Sequence, residues 1–231
     1  MVINILQSTA EGAEGPGYYD KQEKCMLDKN GFDLWSNDYD KQVELSYEDG
    51  VYPFAGYKEV LAEIYRIIHE RKVKTILDIG FGTGVLTKKL YDDGYGIYGI
   101  DFSKEMIRIA HEKMPAAHLI EFDFINGLPD ELEDRKFDAA VSTYAIHHLT
   151  DGQKQKFLLE LKSHLNRDGI ILLGDVAFET EKDLESAKLK AYDEWDDEES
   201  YLVSEKIRSW FPDLHIKFIK KSYCSGIFAI N

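Results

Sequence analysis

Residues 76–84 read ILDIGFGTG, and the fold follows from how that stretch is parsed. An apolar run interrupted only by Asp78 meets glycines at every second position, Gly80, Gly82 and Gly84. A short apolar run closed by glycine reads as a buried strand. Glycine then lets the backbone turn sharply and lets a ligand lie against the main chain. The following TGVLTKKLYDDG, 83–94, has helical character and stops at a glycine, as helices commonly do. The unit is therefore strand, tight turn, helix.

The same alternation extends in both directions. Upstream, Phe54, Tyr57, Leu61, Ile64 and Ile68 step by three and four, which predicts an amphipathic helix over 53–72 with Pro53 at its start. Downstream, strands are expected at 95–101, 117–123, 137–143 and 169–175. Helices are expected at 103–114, with Ser103 as N-cap, and at 151–169, where Thr150 and Gln153 have capping-box spacing. A long acidic stretch, 181–211, reads as helical. Two apolar segments, 214–221 and 224–231, are close enough to form a hairpin. Strands alternating with helices imply an α/β architecture, a parallel sheet covered on both faces, with the hairpin adding an antiparallel strand at one edge.

Bulk properties narrow the function. The 231 residues suffice for one sizeable domain, and 44% hydrophobic with 31% charged residues is a globular composition. Lys and Arg total 28 against 43 Asp and Glu, a formal charge of -15, which disfavours nucleic acid as a partner and favours a small molecule. No apolar run is long enough for a membrane span and no signal-peptide pattern opens the chain, so the expected location is the cytoplasm. The two cysteines, Cys25 and Cys224, lie at opposite ends and form no C-x-x-C pair, arguing against a disulfide framework or a cysteine zinc site.

In open parallel sheets ligands bind at the carboxyl ends of strands. Asp101 ends the second strand, where a carboxylate can accept both hydroxyls of a ribose. A dinucleotide site wants G-x-G-x-x-G, but Val85 occupies the last glycine position, and Asp78 would stand awkwardly near a pyrophosphate. Near a cationic amino group Asp78 would be favourable. A nicotinamide-dependent oxidoreductase is the disfavoured alternative, and a non-catalytic cofactor-binding module a further one.

ILDIGFGTG, GIYGIDFS and EFDF together resemble the successive motifs of class I S-adenosylmethionine-dependent methyltransferases, over roughly residues 53–175. GTGVLTKKL and VSTYAIHHLTD are especially similar to small bacterial methyltransferases of the YrrT-like group. The resemblance implies a Rossmann-like three-layer sandwich. Its sheet would be seven-stranded and mostly parallel, with an antiparallel last strand. Residues 1–52 would be a lead-in and lid, 53–231 the catalytic domain, and about 178–212 a helical cap insertion. The implied cofactor is S-adenosyl-L-methionine. Its methionine part would meet Asp78 and the backbone of Gly80, Phe81, Gly82 and Gly84, and its ribose Asp101. Its adenine would lie between Phe102 and Met106, with Asp123 taking the exocyclic amine and Phe124 giving a backbone N–H. Ser142 would line the methionine end and Tyr39 would act as a lid tyrosine. The implied partner is a small-molecule methyl acceptor, with the protein a monomer or homodimer.

The stretch VSTYAIHHLTD, 141–151, places two histidines after the fourth strand. Adjacent residues in a regular element point in different directions, so the pair is not expected to hold a metal. Tyr144, His147 and His148 are the candidate catalytic residues, a histidine acting as base where the acceptor has a proton to lose. The alternative for at least one ring is a loop-setting role. Trp195, in the acidic stretch, would either face the substrate or anchor the cap.

Overall fold

A computed structural model describes residues 50–231. Tyr39, Cys25 and almost all of the expected lid lie outside the described residues. The sheet is built from β1 (Thr75–Ile79), β2 (Gly96–Asp101), β3 (His118–Glu121), β4 (Phe137–Thr143), β5 (Leu165–Phe178), β6 (Leu202–Val203), β7 (Ile216–Lys220) and β8 (Ser225–Ile230). Seven strands run in the order β3-β2-β1-β4-β5-β8-β7, and β6 pairs separately with the end of β5. The first five are mutually parallel. The last strand, β8, is antiparallel to both neighbours, as the hairpin reading expects. Among the described residues, six α-helices accompany the sheet: α1 (Tyr57–Glu70), α2 (Val85–Asp92), α3 (Lys104–Lys113), α4 (Asp151–Ser163), α5 (Glu181–Ala191) and α6 (Ser204–Trp210).

Strand periodicity divides the core between the two faces of the sheet. Ile76, Ala139, Val141, Ile170 and Leu172 face one side and pack with Val60, Ile64 and Ile68 of α1 and Leu86 and Leu90 of α2. Leu77, Ile79, Ala140, Ile171 and Leu173 face the other and pack with Phe157, Leu158 and Leu161 of α4 and Ile207 of α6. Both faces being covered explains why β1 reads as a nearly unbroken apolar run. Close approach has a local cause: a Cβ on Gly174 of β5 would stand 2.4 Å from Val60 Cγ1, so the missing side chain is what lets α1 lie on the sheet.

Three expectations need correction. The first helix begins at Tyr57, not Pro53, because Gly56 takes φ 82 and residues 52–56 form turns. The acidic stretch is not one helix. Helix α5 ends at Ala191, where Tyr192 adopts φ 45 and reverses the chain, and the segment continues through a 3-10 turn into β6 and α6. Helix α4 ends at Ser163 and not at 169, because β5 already begins at Leu165; the two-residue β6 lies off the expected seven-strand path. The capping expectations hold: the Ser103 side chain accepts from the Met106 N–H, and Thr150 with Gln153 forms a reciprocal capping box.

Candidate active site

The sheet reverses its direction of winding between β1 and β4, and the cleft opens at the carboxyl ends of these strands. Its walls include Gly80, Phe81, Gly82, Asp101, Phe102, Met106, Phe124, Tyr57, Tyr144 and His148. The glycine turn forms as its spacing suggests. Gly80, Gly82 and Gly84 all have positive φ, and Gly84 caps α2. A Cβ on Gly80 would approach Ala145 Cβ to 2.5 Å, whereas one on Gly82 would meet nothing within 4 Å. Lys113 Nζ donates to Thr83 O at 2.9 Å and steadies the turn from α3.

Two buried carboxylates, Asp101 and Asp78, lie at the strand ends beside this turn. Asp101 is buried, and its oxygens accept from Gly82 N and Ser103 N, both at 2.9 Å. The turn and the strand end are thereby locked together, and an ionised carboxylate retains lone pairs for further donors. Asp78 is 1% exposed. Its Oδ2 accepts from Thr87 Oγ1 at 2.5 Å, while its Oδ1 has no hydrogen-bond partner. Burial, with a smaller push from the Asp101 charge and against the Thr87 hydrogen bond, raises its pKa to about 7. A buried acceptor without a partner is costly unless a ligand supplies the donor. A cationic amino group would do so, and the turn, Asp78 and Asp101 fit the cofactor implied by the sequence.

The remaining expected contacts fall in different places. Phe102, Met106 and Phe124 border the cleft. Asp123 is exposed, and its Oδ1 accepts from Ile125 N at 3.0 Å, capping a short 3-10 turn. Ser142 is buried between strands and donates from Oγ to Ile79 O at 3.0 Å, one layer beneath the cleft wall.

Beyond β4 the chain bends at Tyr144, whose φ is 49, an uncommon conformation for a non-glycine residue. Its ring packs against Phe54 and Tyr57, and burial raises its hydroxyl pKa well above the usual value, so this phenol stays neutral. The histidines occupy a 3-10 turn, Ile146–His148, rather than a regular helix. Their rings lie with centroids 4.3 Å apart. His147 is buried, with Nδ1 2.6 Å from Asp175 Oδ1, and a carboxylate can only accept, so Nδ1 carries the hydrogen. Burial disfavours the imidazolium, but the Asp175 and Glu199 charges outweigh it and raise the pKa to about 9. His148 borders the cleft, and burial together with the neighbouring His147 holds its pKa low.

Asp175, Glu199, Thr87 and Lys154 are site neighbours that the sequence reading missed. Asp175 had a signal: like Asp78 and Asp101 it is an aspartate near a carboxyl end of the sheet, following GIILLG. Glu199 and Lys154 had none, because their roles depend on chain returns. The segment before β6 folds back so that Ser200 N donates to His147 O at 3.1 Å. Fully buried Lys154 in α4 donates to both Leu149 O and Ser200 O, clasping cap and loop. Trp195 stacks on Tyr52 at 5.1 Å and packs against Phe178 and Tyr201, the anchoring role.

Known proteins resemble this chain in sequence and in fold. A family described as a methyltransferase domain matches residues 76–169. An uncharacterised methyltransferase of Alkaliphilus oremlandii is 37% identical over 151 residues, 65% of this chain and 68% of its own. One of Bacillus cytotoxicus is 36% identical over 170 residues, 70% of this chain and 74% of its own. Among solved structures, DhpI with bound S-adenosylhomocysteine superposes with a TM-score of 0.66 at 14% identity, covering 88% of this chain and 94% of that one. An S-adenosylmethionine-dependent methyltransferase from Clostridium acetobutylicum gives 0.62 at 16% identity, covering 84% and 98%.

Proposed function

The chain belongs to the class I S-adenosylmethionine-dependent methyltransferases, and from that premise we propose that it methylates a small-molecule acceptor. The observation that carries the reading is the pairing of buried Asp78 and Asp101 near the ends of adjacent strands, Asp101 accepting from the glycine turn and lining the cleft, and Asp78 accepting from Thr87 in the helix that follows the turn. Asp78 and the 80–84 backbone would hold the amino-acid part of the donor, Asp101 its ribose, and Phe102, Met106 and Phe124 its adenine. The donor supplies a methyl group already activated by the sulfonium charge. The chain's own contribution is alignment and exclusion of water.

Tyr57, Tyr144 and His148 also line the cleft, and this is where an acceptor would stand. The cap over 178–212, with the chain before residue 53, would select it. His148 is the histidine on this wall, and its pKa, held low by burial and by His147, suits it to a neutral contact rather than to taking a proton from the acceptor heteroatom. His147, held on Asp175, would support the loop, and neutral Tyr144 would shape the wall. Small size is supported by the aromatic wall and by the acidity of the chain, which opposes a nucleic-acid acceptor.

Calorimetry tests the donor site. Asp101→Ala is expected to weaken S-adenosylmethionine binding tenfold or more while the chain stays folded by circular dichroism; unchanged affinity in a folded variant overturns the assignment. A screen of thiols, amines, carboxylates and phenols, read as S-adenosylhomocysteine formed, tests the acceptor class.

A further inference from the structure

Beside the cleft, one nitrogen from each of His147 and His148 and one oxygen of Glu199 lie within 4.8 Å of one another. His147 Nε2 is 3.6 Å and His148 Nδ1 3.9 Å from Glu199 Oε1. These separations exceed hydrogen-bond length. They are close to the ~3.3 Å expected between ligand atoms around a tetrahedral ion with bonds of about 2.0–2.1 Å. Adjacency does not forbid convergence here, because the two rings sit on a 3-10 turn and the third group arrives from the cap.

The surroundings are those of a ligand set. Asp175 Oδ1 takes the Nδ1 hydrogen of His147 and is itself fixed by Val176 N at 2.7 Å, which leaves Nε2 facing Glu199. The Tyr201 hydroxyl donates to Glu199 Oε2 at 2.8 Å, which orients Oε1. Metal-bound histidines characteristically give their other ring N–H to a carboxylate, and ligating carboxylates are themselves hydrogen-bonded. The Lys154 clasp and the Ser200 N–His147 O bond hold Glu199 and the histidines in one frame.

We propose that His147, His148 and Glu199 form a binding site for one divalent transition-metal ion of the zinc class. Two imidazoles and a carboxylate suit zinc, cobalt or nickel better than magnesium or calcium, which prefer all-oxygen shells. Three protein ligands leave a position for an exogenous group. Since His148 also borders the donor cleft, that group would be the acceptor's heteroatom, a refinement that rests on the methyl-transfer reading. Metal binding itself does not.

The test uses the full chain stripped with chelator. Zinc is titrated by calorimetry and against a chromophoric chelator, and cobalt(II) is followed by the visible absorption of a tetrahedral ion. One ion per chain, micromolar or tighter, is expected. Glu199→Gln and His148→Ala should each weaken it at least tenfold, and Glu198→Gln should leave it unchanged. Glu199→Gln should retain S-adenosylmethionine affinity, which separates failure of this site from failure of the donor site. Binding no tighter than millimolar, or binding that survives both ligand substitutions in folded variants, overturns the proposal.

Discussion

The two sides of the cleft are built differently. The proposed donor side is local: Asp78, the three glycines, Thr87, Asp101 and Met106 fall within thirty residues, on two neighbouring strand ends and the helices that follow. The proposed acceptor side gathers His148 from the exit of β4, Asp175 from β5, Lys154 from α4 and Glu199 from the returning cap. One side is encoded in a short pattern. The other is assembled by tertiary contacts between residues far apart in the chain.

The strongest way to probe the donor side is through Asp78. Its native pKa of about 7 lies above the roughly 3.9 of an unfolded aspartate. Below pH 4 both states are protonated and the contribution to stability is complete. As pH rises through 7 the unfolded chain releases its proton first, and roughly 4 kcal/mol is lost. Asp78→Asn does not titrate, so its stability relative to the wild type should climb between pH 4 and 8, measured by urea unfolding, while its donor affinity falls. A difference that is flat with pH would mean that the buried carboxylate is not held neutral in the empty cleft.

Gly80→Ala comes next, with an expected loss of roughly 3 kcal/mol, since it adds left-handed strain to a clash with Ala145. On the acceptor side, Lys154→Met should cost about 1–2 kcal/mol by leaving two carbonyls without their partner. Its signature should be local, with faster amide exchange over 196–203 and unchanged donor binding. Faster exchange at the glycine turn instead would erase the distinction between the two sides. Gly82→Ala, strained but unobstructed, should cost only about 1 kcal/mol in thermal unfolding.

Legibility in the sequence follows the same division. Strand ends, the glycine turn and the Thr150 and Ser103 caps were readable because each is set by residues a few positions apart. The start of α1 was misjudged because Gly56 owes its place to Ser222 and Ser225, far along the chain; its Cβ would stand 2.8 Å from Ser225 Oγ. The acidic stretch was misjudged because the turn at Tyr192 and the pairing of Leu202–Val203 with Ala177–Phe178 overrule helical propensity. His147 was visible as a candidate, but Asp175 and Glu199, which define its environment, come together only in three dimensions.

Asp78 also bears on how long the protein survives in a cell. A chain without donor carries a buried oxygen that nothing satisfies. Donor at a hundred times its dissociation constant stabilises the folded state by about 2.7 kcal/mol, which lowers the unfolded fraction roughly a hundredfold. Proteases act on that fraction, so scarcity of the methyl donor would shorten the lifetime of the enzyme that consumes it.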